Sequence, residues 1–463
     1  MDREIAWKKY DESDLEALSG LADEYIEFIS QNKTERECCK TAVAMAKEHG
    51  YISLDEAIAS GKKLACGDKV YAVSKGKAVI LVQLGQKPMS EGLNILGAHI
   101  DSPRLDLKQN PLYESNGLAL LDTHYYGGIK KYQWTALPLA MHGVVAKTDG
   151  SVVDVVIGED DADPVFCVSD LLVHLAQTQL EKTGAKVVEG EDLDILVGNQ
   201  PKSSKDKEEK DLVKARVLDI LKEKYGIEEE DFVSAELEMV PAGSAKSLGF
   251  DKSMVIGYGQ DDRVCAFGSL IAQLEVGDTQ KCAVCVLVDK EEIGSVGATG
   301  MESDFFADTI AEVLNLTEFK GEASLVLKRL LKASKMLSSD VSAAFDPTYA
   351  SAFEAKNAAY LGKGLVFNKY TGARGKSGSN DASAEYVACV RSIMDAAEVS
   401  YQTAELGKVD LGGGGTIAYI PAKFGMDVID SGVAVLSMHA PWEVTSQADI
   451  YEAFKGYQAF LRS

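Results

Sequence analysis

Cys282-Ala-Val-Cys-Val-Leu-Val-Asp-Lys-Glu-Glu-Ile-Gly-Ser295 decides how this chain is read. Seven apolar residues in succession make a buried strand, and the run stops abruptly in Asp289-Lys290-Glu291-Glu292. In open α/β sheets, chemistry collects where strands end at their carboxyl side. The same transition recurs along the chain. Leu93-Asn-Ile-Leu96 leads through Gly97-Ala98 to His99-Ile100-Asp101, and residues 257–260 lead to Asp261-Asp262-Arg263. Asp340 precedes an apolar stretch at 341–344, and residues 433–437 lead to His439. The chain has only six histidines, and two of them stand at such strand ends.

Strand and helix patterns alternate outside the middle of the chain. Residues 14–29 have helical apolar spacing, and Thr34-Glu-Arg-Glu37 supplies a capping box for a second helix running to Gly50. Strands are expected at 69–73, 78–82 and 93–96. From 107 to 238 the character changes: β-rich stretches at 137–146 and 152–157, a helix around 168–182, a charged connector at 202–211 and a helix at 213–225. Site candidates lie on both sides of this block. The reading is therefore an α/β catalytic domain built from residues 1–106 and 239–463, interrupted by an inserted β-rich domain at 107–238.

Composition narrows the function. At 463 residues, with 46% hydrophobic and 26% charged positions, the chain can bury the cores of two domains. A net charge of −24 repels a phosphate backbone, which argues against nucleic-acid partners. No apolar run approaches the ~20 residues needed to span a bilayer, and residues 1–10 lack the apolar core of a signal peptide. Eight cysteines in so long a chain do not make a disulfide framework. Cys282 and Cys285 form a C-x-x-C, but inside a strand residues three apart face opposite sides, so this pair reads as structural. A cytoplasmic protein is expected.

The strand-end residues suit two divalent ions, most simply Zn²⁺, with Co²⁺ or Mn²⁺ compatible with the same donors. His99 and His439 each supply an imidazole, Asp261 bridges, Asp340 completes one ion and Glu292 the other. Three carboxylates then leave a residual positive charge. Such a pair polarises a carbonyl and lowers a coordinated water's pKa from about 15.7 to about 7. Glu291 points elsewhere than its neighbour and serves as general acid/base. Asp101 is placed to accept the other N–H of the His99 ring. Taken singly, each piece has a bland alternative. Adjacent acids at Glu208-Glu209 and 228–230 are solvated, a histidine after a strand is commonly structural, and Asp261-Asp262-Arg263 fits a helix N-terminus with a surface ion pair. Their joint occurrence at successive strand ends favours the metal site.

In this order, Gly97-Ala-His-Ile-Asp-Ser-Pro-Arg104, Gln260-Asp-Asp-Arg263, Asp289-Lys-Glu-Glu-Ile-Gly-Ser295, Ser339-Asp-Val-Ser342, Gly415-Thr-Ile417 and Ser437-Met-His-Ala440 resemble the M18 metallo-aminopeptidases. The resemblance covers nearly the whole chain. It implies a zinc-peptidase-like mixed sheet flanked by helices, an inserted dimerisation domain and homo-oligomers, specifically tetrahedral dodecamers. It also implies His99, Asp261 and Asp340 on one metal, with Asp261, Glu292 and His439 on the other. Glu291 would be the acid/base. His174, in Leu171-Leu-Val-His-Leu-Ala176, would reach a neighbouring subunit's active site and help bind the peptide; otherwise it is a histidine on a helix face. The chain departs from the family at 126–136 and 368–380. In the second stretch Lys369, Arg374 and Lys376 either pair with an acidic N-terminal side chain or form a solvated basic loop. Gly412-Gly-Gly-Gly-Thr416 either lets the peptide backbone approach closely or makes a turn. The expected activity is removal of the N-terminal residue from peptides, with a preference for acidic residues left open. The alternatives are a related dinuclear amidohydrolase, which would cut acylated or C-terminal substrates, and a non-catalytic assembly protein of the same fold.

Overall fold

The computed structural model describes residues 3–204, 210–372 and 374–463. Residues 205–209 of the charged connector, with Glu208 and Glu209, lie outside the described residues. The chain forms two compact units: Met1–Asp101, Ala245–Met438 and Glu443–Ser463 make the first, Ser102–Ser244 and His439–Trp442 the second.

The first unit is built on a nine-stranded sheet in the order Ile52–Ser53, Lys69–Ser74, Ala78–Gln83, Cys282–Val288, Leu93–His99, Lys335–Ser339, Asp427–Gly432, Leu365–Asn368, Tyr401–Thr403. Its four central strands, from Cys282–Val288 to Asp427–Gly432, run parallel. Central parallel strands are covered on both faces and therefore read as unbroken apolar runs. Leu96, Ala98, Cys285 and Leu287 pack on one face with the helices Gln260–Leu274 and Gln447–Arg462. Ile95, Cys282, Val284 and Val286 pack on the other with Phe305–Asn315 and Ala323–Ala333. Cys282 and Cys285 thus lie on opposite faces, both unpaired. A five-stranded sheet, Lys246–Leu248, Met254–Gly257, Glu443–Ser446, Ala434–Leu436 and Ser342–Ala343, completes this unit.

The second unit holds a seven-stranded sheet whose neighbours all pair antiparallel. Its strands Arg104–Ser115 and Ala235–Pro241 pair Asp106 with Glu238 and Leu105 with Met239, which carries residues 104–106 and 239–241 into this sheet.

Two local expectations need correction. No long helix forms over 168–182; the segment holds the strand Cys167–Val168, a single 3-10 turn Val173–Leu175 and the short helix Gln177–Leu180. Leu171, Leu172, Val173 and Leu175 are all exposed within their own unit, so no apolar stripe is buried there to stabilise a helix. The strand before the first aspartates is Met254–Gly257, and Gln260 already opens a helix. The strand Lys335–Ser339 lacks an apolar signature, because Ser338-Ser339 interrupts its pattern.

Candidate metal centre

The parallel register assembles the site. Val288 pairs with His99, and Ser338 with Gly97, so two residues further on Asp340 comes level with His99. One edge of the sheet therefore receives Asp289, His99 and Asp340 from three adjacent strands. Gly432 makes room for the last of these. A Cβ there would lie 1.9 Å from the Asp340 carbonyl oxygen, so only glycine lets the two backbones approach. The Asp340 amide donates to the Ser431 carbonyl at 3.1 Å.

His99 is buried, with Nε2 3.1 Å from Asp261 Oδ1 and 3.9 Å from Glu291 Oε2. Its Nδ1 lies 3.0 Å from the Asp101 carbonyl oxygen and 3.3 Å from Asp101 Oδ1, so the backbone shares the role expected of the Asp101 carboxylate. That carboxylate has a second task, which the sequence did not suggest. Its two oxygens accept the Glu291 and Glu292 amides, each at 3.1 Å. Both glutamates sit on the 3-10 turn Glu291–Ile293, entered through Lys290 at φ +70°. One fully buried aspartate thus ties the histidine strand to the turn carrying both glutamates.

Asp261 and Asp262 open the Gln260–Leu274 helix in non-helical conformations, joined by a cis peptide. Glu443 Oε2 accepts the Asp261 amide at 3.1 Å, and Gln260 bridges the Val255 and Glu443 carbonyls. Arg263, expected as a possible surface ion pair, is buried; it donates to the Lys33 carbonyl at 2.7 Å. Asp262 is a site residue to which no role had been assigned. Potential ligand atoms of His99, Asp262 and Asp340 lie within 4.8 Å of one another, as do those of His99, Glu291 and Glu292.

Five carboxylates, Asp261, Asp262, Asp340, Glu291 and Glu292, thus gather round one imidazole. Burial drives Asp262 and Asp340 well above the ordinary carboxyl range, and neighbouring carboxylates push the same way. Burial disfavours the charged His99 ring, but its bonds to Asp101 and Asp261 and the charge of Glu291 outweigh it and hold the ring well above 6.5. Cations would relieve the crowding of acids round one histidine, and oxygen and imidazole donors are what Zn²⁺ takes. The residues fit the metal.

The remaining candidates stand as follows. His439 is at φ +64° on the loop between Ala434–Leu436 and Glu443–Ser446, with Nδ1 2.7 Å from the Gly128 carbonyl oxygen. His174 is exposed on its 3-10 turn, not on a helix face. Lys369 and Lys376 both pair with Asp381, the latter at 3.0 Å, and the Lys376 ammonium lies 3.8 Å over the Tyr370 ring. Arg374 is exposed, its amide donating to the Val409 carbonyl. The Thr416 hydroxyl donates to Asp430. Among the described residues, no helix is long and apolar enough to cross a membrane.

The family described as aminopeptidase I zinc metalloprotease, M18, matches residues 28–461. A probable M18 family aminopeptidase 1 of Clostridium acetobutylicum is 59% identical over 458 residues, spanning 99% of this chain and 98% of that protein. The crystal structure of aminopeptidase I from Clostridium acetobutylicum superposes with a TM-score of 0.93 at 57% identity, each chain fully covered. The M18 aminopeptidase structure from Thermotoga maritima gives 0.94 at 42% identity, covering 100% of this chain and 99% of that one. The mApe1 dodecamer of S. cerevisiae shares the fold at 20% identity and a TM-score of 0.75, with 95% of each chain covered. The chain belongs to the M18 family of zinc metalloproteases and is an aminopeptidase, an exopeptidase that hydrolyses peptide bonds.

Proposed function

We propose that the centre holds two divalent ions, most simply zinc, and that Glu291 is the general acid/base. His99 and Asp340 would hold one ion, Glu292 and His439 the other, with Asp261 between them. Asp262, grouped with His99 and Asp340, would share in holding the first ion. Zinc held by these residues would supply polarisation of a carbonyl and acidification of water near neutral pH. Glu291 takes the proton of the attacking water and returns it to the leaving amine. Asp101 fixes the turn that carries both Glu291 and Glu292, and this clasp is the observation that carries the reading. Glu291→Gln tests it: zinc stays bound and turnover is lost. An active Glu291→Gln protein would remove the assigned base.

The preference for an acidic N-terminal residue has narrow support. Asp381 already pairs with both Lys369 and Lys376, leaving Arg374 as the cation of that loop without a carboxylate partner among the described residues. A homo-oligomer, a dodecamer by likeness to the family, is favoured by the exposed Leu171, Leu172, Val173 and Leu175 around His174. In such an assembly His174 would assist a neighbouring site. The inserted unit would form the dimer contact. Eight free cysteines suit a reducing compartment, consistent with action on peptides in the cytoplasm.

A further inference from the structure

We propose that Asp430 is a positioning residue for peptide binding. It takes the hydroxyl proton of Thr416 and so leaves Thr416 able only to accept a hydrogen bond, from an N–H of the bound peptide. The inference rests on the aminopeptidase reading and adds a polarity to it.

Asp430 lies on the strand Asp427–Gly432 and pairs in register with Ser338, which pairs with Gly97. At ~3.3 Å per residue this row stands roughly 7 Å before the row of Gly432, Asp340 and His99. Residues two apart along a strand share a face, so Asp430 looks out on the side of the sheet to which Gly97 and His99 belong. The Thr416 turn lies against the same row. A Cβ on Gly97 would meet Ile417 Cδ1 at 3.6 Å, after Met336 Cε at 2.2 Å. The turn therefore rests against the strand that delivers His99, and the charge of Glu291 is felt at Asp430.

Asp430 is 1% exposed. Its Oδ1 accepts the Thr416 hydroxyl at 2.5 Å, while its Oδ2 has no hydrogen-bond partner among the described residues. A hydroxyl has one proton and two lone pairs. The proton goes to Asp430, and the Ala418 amide, 3.3 Å from Thr416 Oγ1, takes one lone pair. One lone pair remains on a half-buried side chain at the end of a run of four glycines. A peptide presents N–H donors at its α-amine and its amides, and these are what that lone pair can bind. The glycines cannot fix the loop by their own side chains, so the bond to Asp430 anchors its end. Burial pushes the Asp430 carboxyl up to about 7, against the lowering effect of Thr416, so the arrangement is tested at pH 8 with the carboxylate formed.

The experiment is a double-mutant cycle read as kcat/KM on a leucyl peptide with zinc-loaded protein. Thr416→Val and Asp430→Ala should each lower kcat/KM about 10-fold, the worth of one hydrogen bond to the substrate. The double variant should lose no more than either single one, because Asp430 acts through Thr416. Thr416→Ser keeps the hydroxyl and should stay within about twofold of wild type, which carries the test should Asp430→Ala not fold. Additive losses approaching 100-fold, or an unchanged Thr416→Val, would overturn the proposal. The same cycle read as peptide affinity in a Glu291→Gln background separates the two levels. If Glu291→Gln still turns over, the assigned base fails, while coupling between positions 416 and 430 remains measurable.

Discussion

Asp101→Asn removes one negative charge and no volume, and the structure fixes what it should cost. The carboxylate accepts the Glu291 and Glu292 amides at 3.1 Å each and lies 3.3 Å from His99 Nδ1. An asparagine has one oxygen and one NH2 group, so one of the two amides must face a donor instead of an acceptor. Asp101 is wholly buried, so its side chain cannot turn to solvent to relieve the mismatch. Losing a charge-assisted bond of this kind costs about 2–3 kcal/mol. That cost falls on the turn holding both the proposed acid/base, Glu291, and the proposed metal ligand Glu292. If it is expressed in the transition state, kcat drops about 30- to 150-fold. Zinc affinity should fall about 10- to 100-fold as the His99 ring and Glu292 lose their orientation. The assay is kcat on a leucyl peptide at saturating zinc, with the zinc dissociation constant measured by competition against a chelator of known affinity. Asp101→Asn within twofold of wild type in both would refute the clasp.

Gly432→Ala should destabilise the protein by about 1–3 kcal/mol and weaken zinc binding, because a Cβ 1.9 Å from the Asp340 carbonyl must displace that proposed ligand; chemical denaturation and zinc competition would show it. Chelation should lower the melting temperature, since zinc at 1,000 times its Kd stabilises the fold by about 4 kcal/mol; a scan unchanged by chelator would argue against a resident ion. Asp449 is buried and accepts the Gly362 and Gly364 amides, and burial pushes its carboxyl from 3.8 up to about 8. Between those values the folded state binds the extra proton, so this group lowers stability as pH rises, by at most about 1.4 kcal/mol per pH unit. Asp449→Asn should therefore gain on wild type from pH 5 to 8 in denaturant melts, and a constant difference would contradict the assignment. His174→Phe should raise KM if the residue assists a neighbouring site, and unchanged kinetics would remove it from the reaction.

The parts legible in the sequence were those where local pattern and tertiary environment agree. Leu93–His99 and Cys282–Val288 are covered on both faces, so their apolar runs announced them, and the break into His99 or Asp289 marked the sheet edge. Asp262 was quoted without a role because nothing local distinguishes it from Asp261; only the turn at the start of Gln260–Leu274 sends both inward. The double grip of Asp101 was invisible because its partners lie 190 residues away. For Lys369 and Lys376 the sequence leaves open a substrate contact or a solvated basic loop, since their pairing depends on a loop folding back onto Asp381. The strand Lys335–Ser339 was hidden by its serines. The false helix at 168–182 followed an apolar content that its own unit does not bury.

The most direct measurement is release of the N-terminal residue from peptides beginning with Asp, Glu, Leu and Lys, using zinc-loaded and chelator-treated protein, with N-acetylated peptides as controls. The expected result is chelator-sensitive release of single residues from free-amine peptides, none from the acetylated ones, and no turnover by Glu291→Gln with zinc still bound. Cleavage of the acetylated peptides, or release that survives removal of metal, would contradict it.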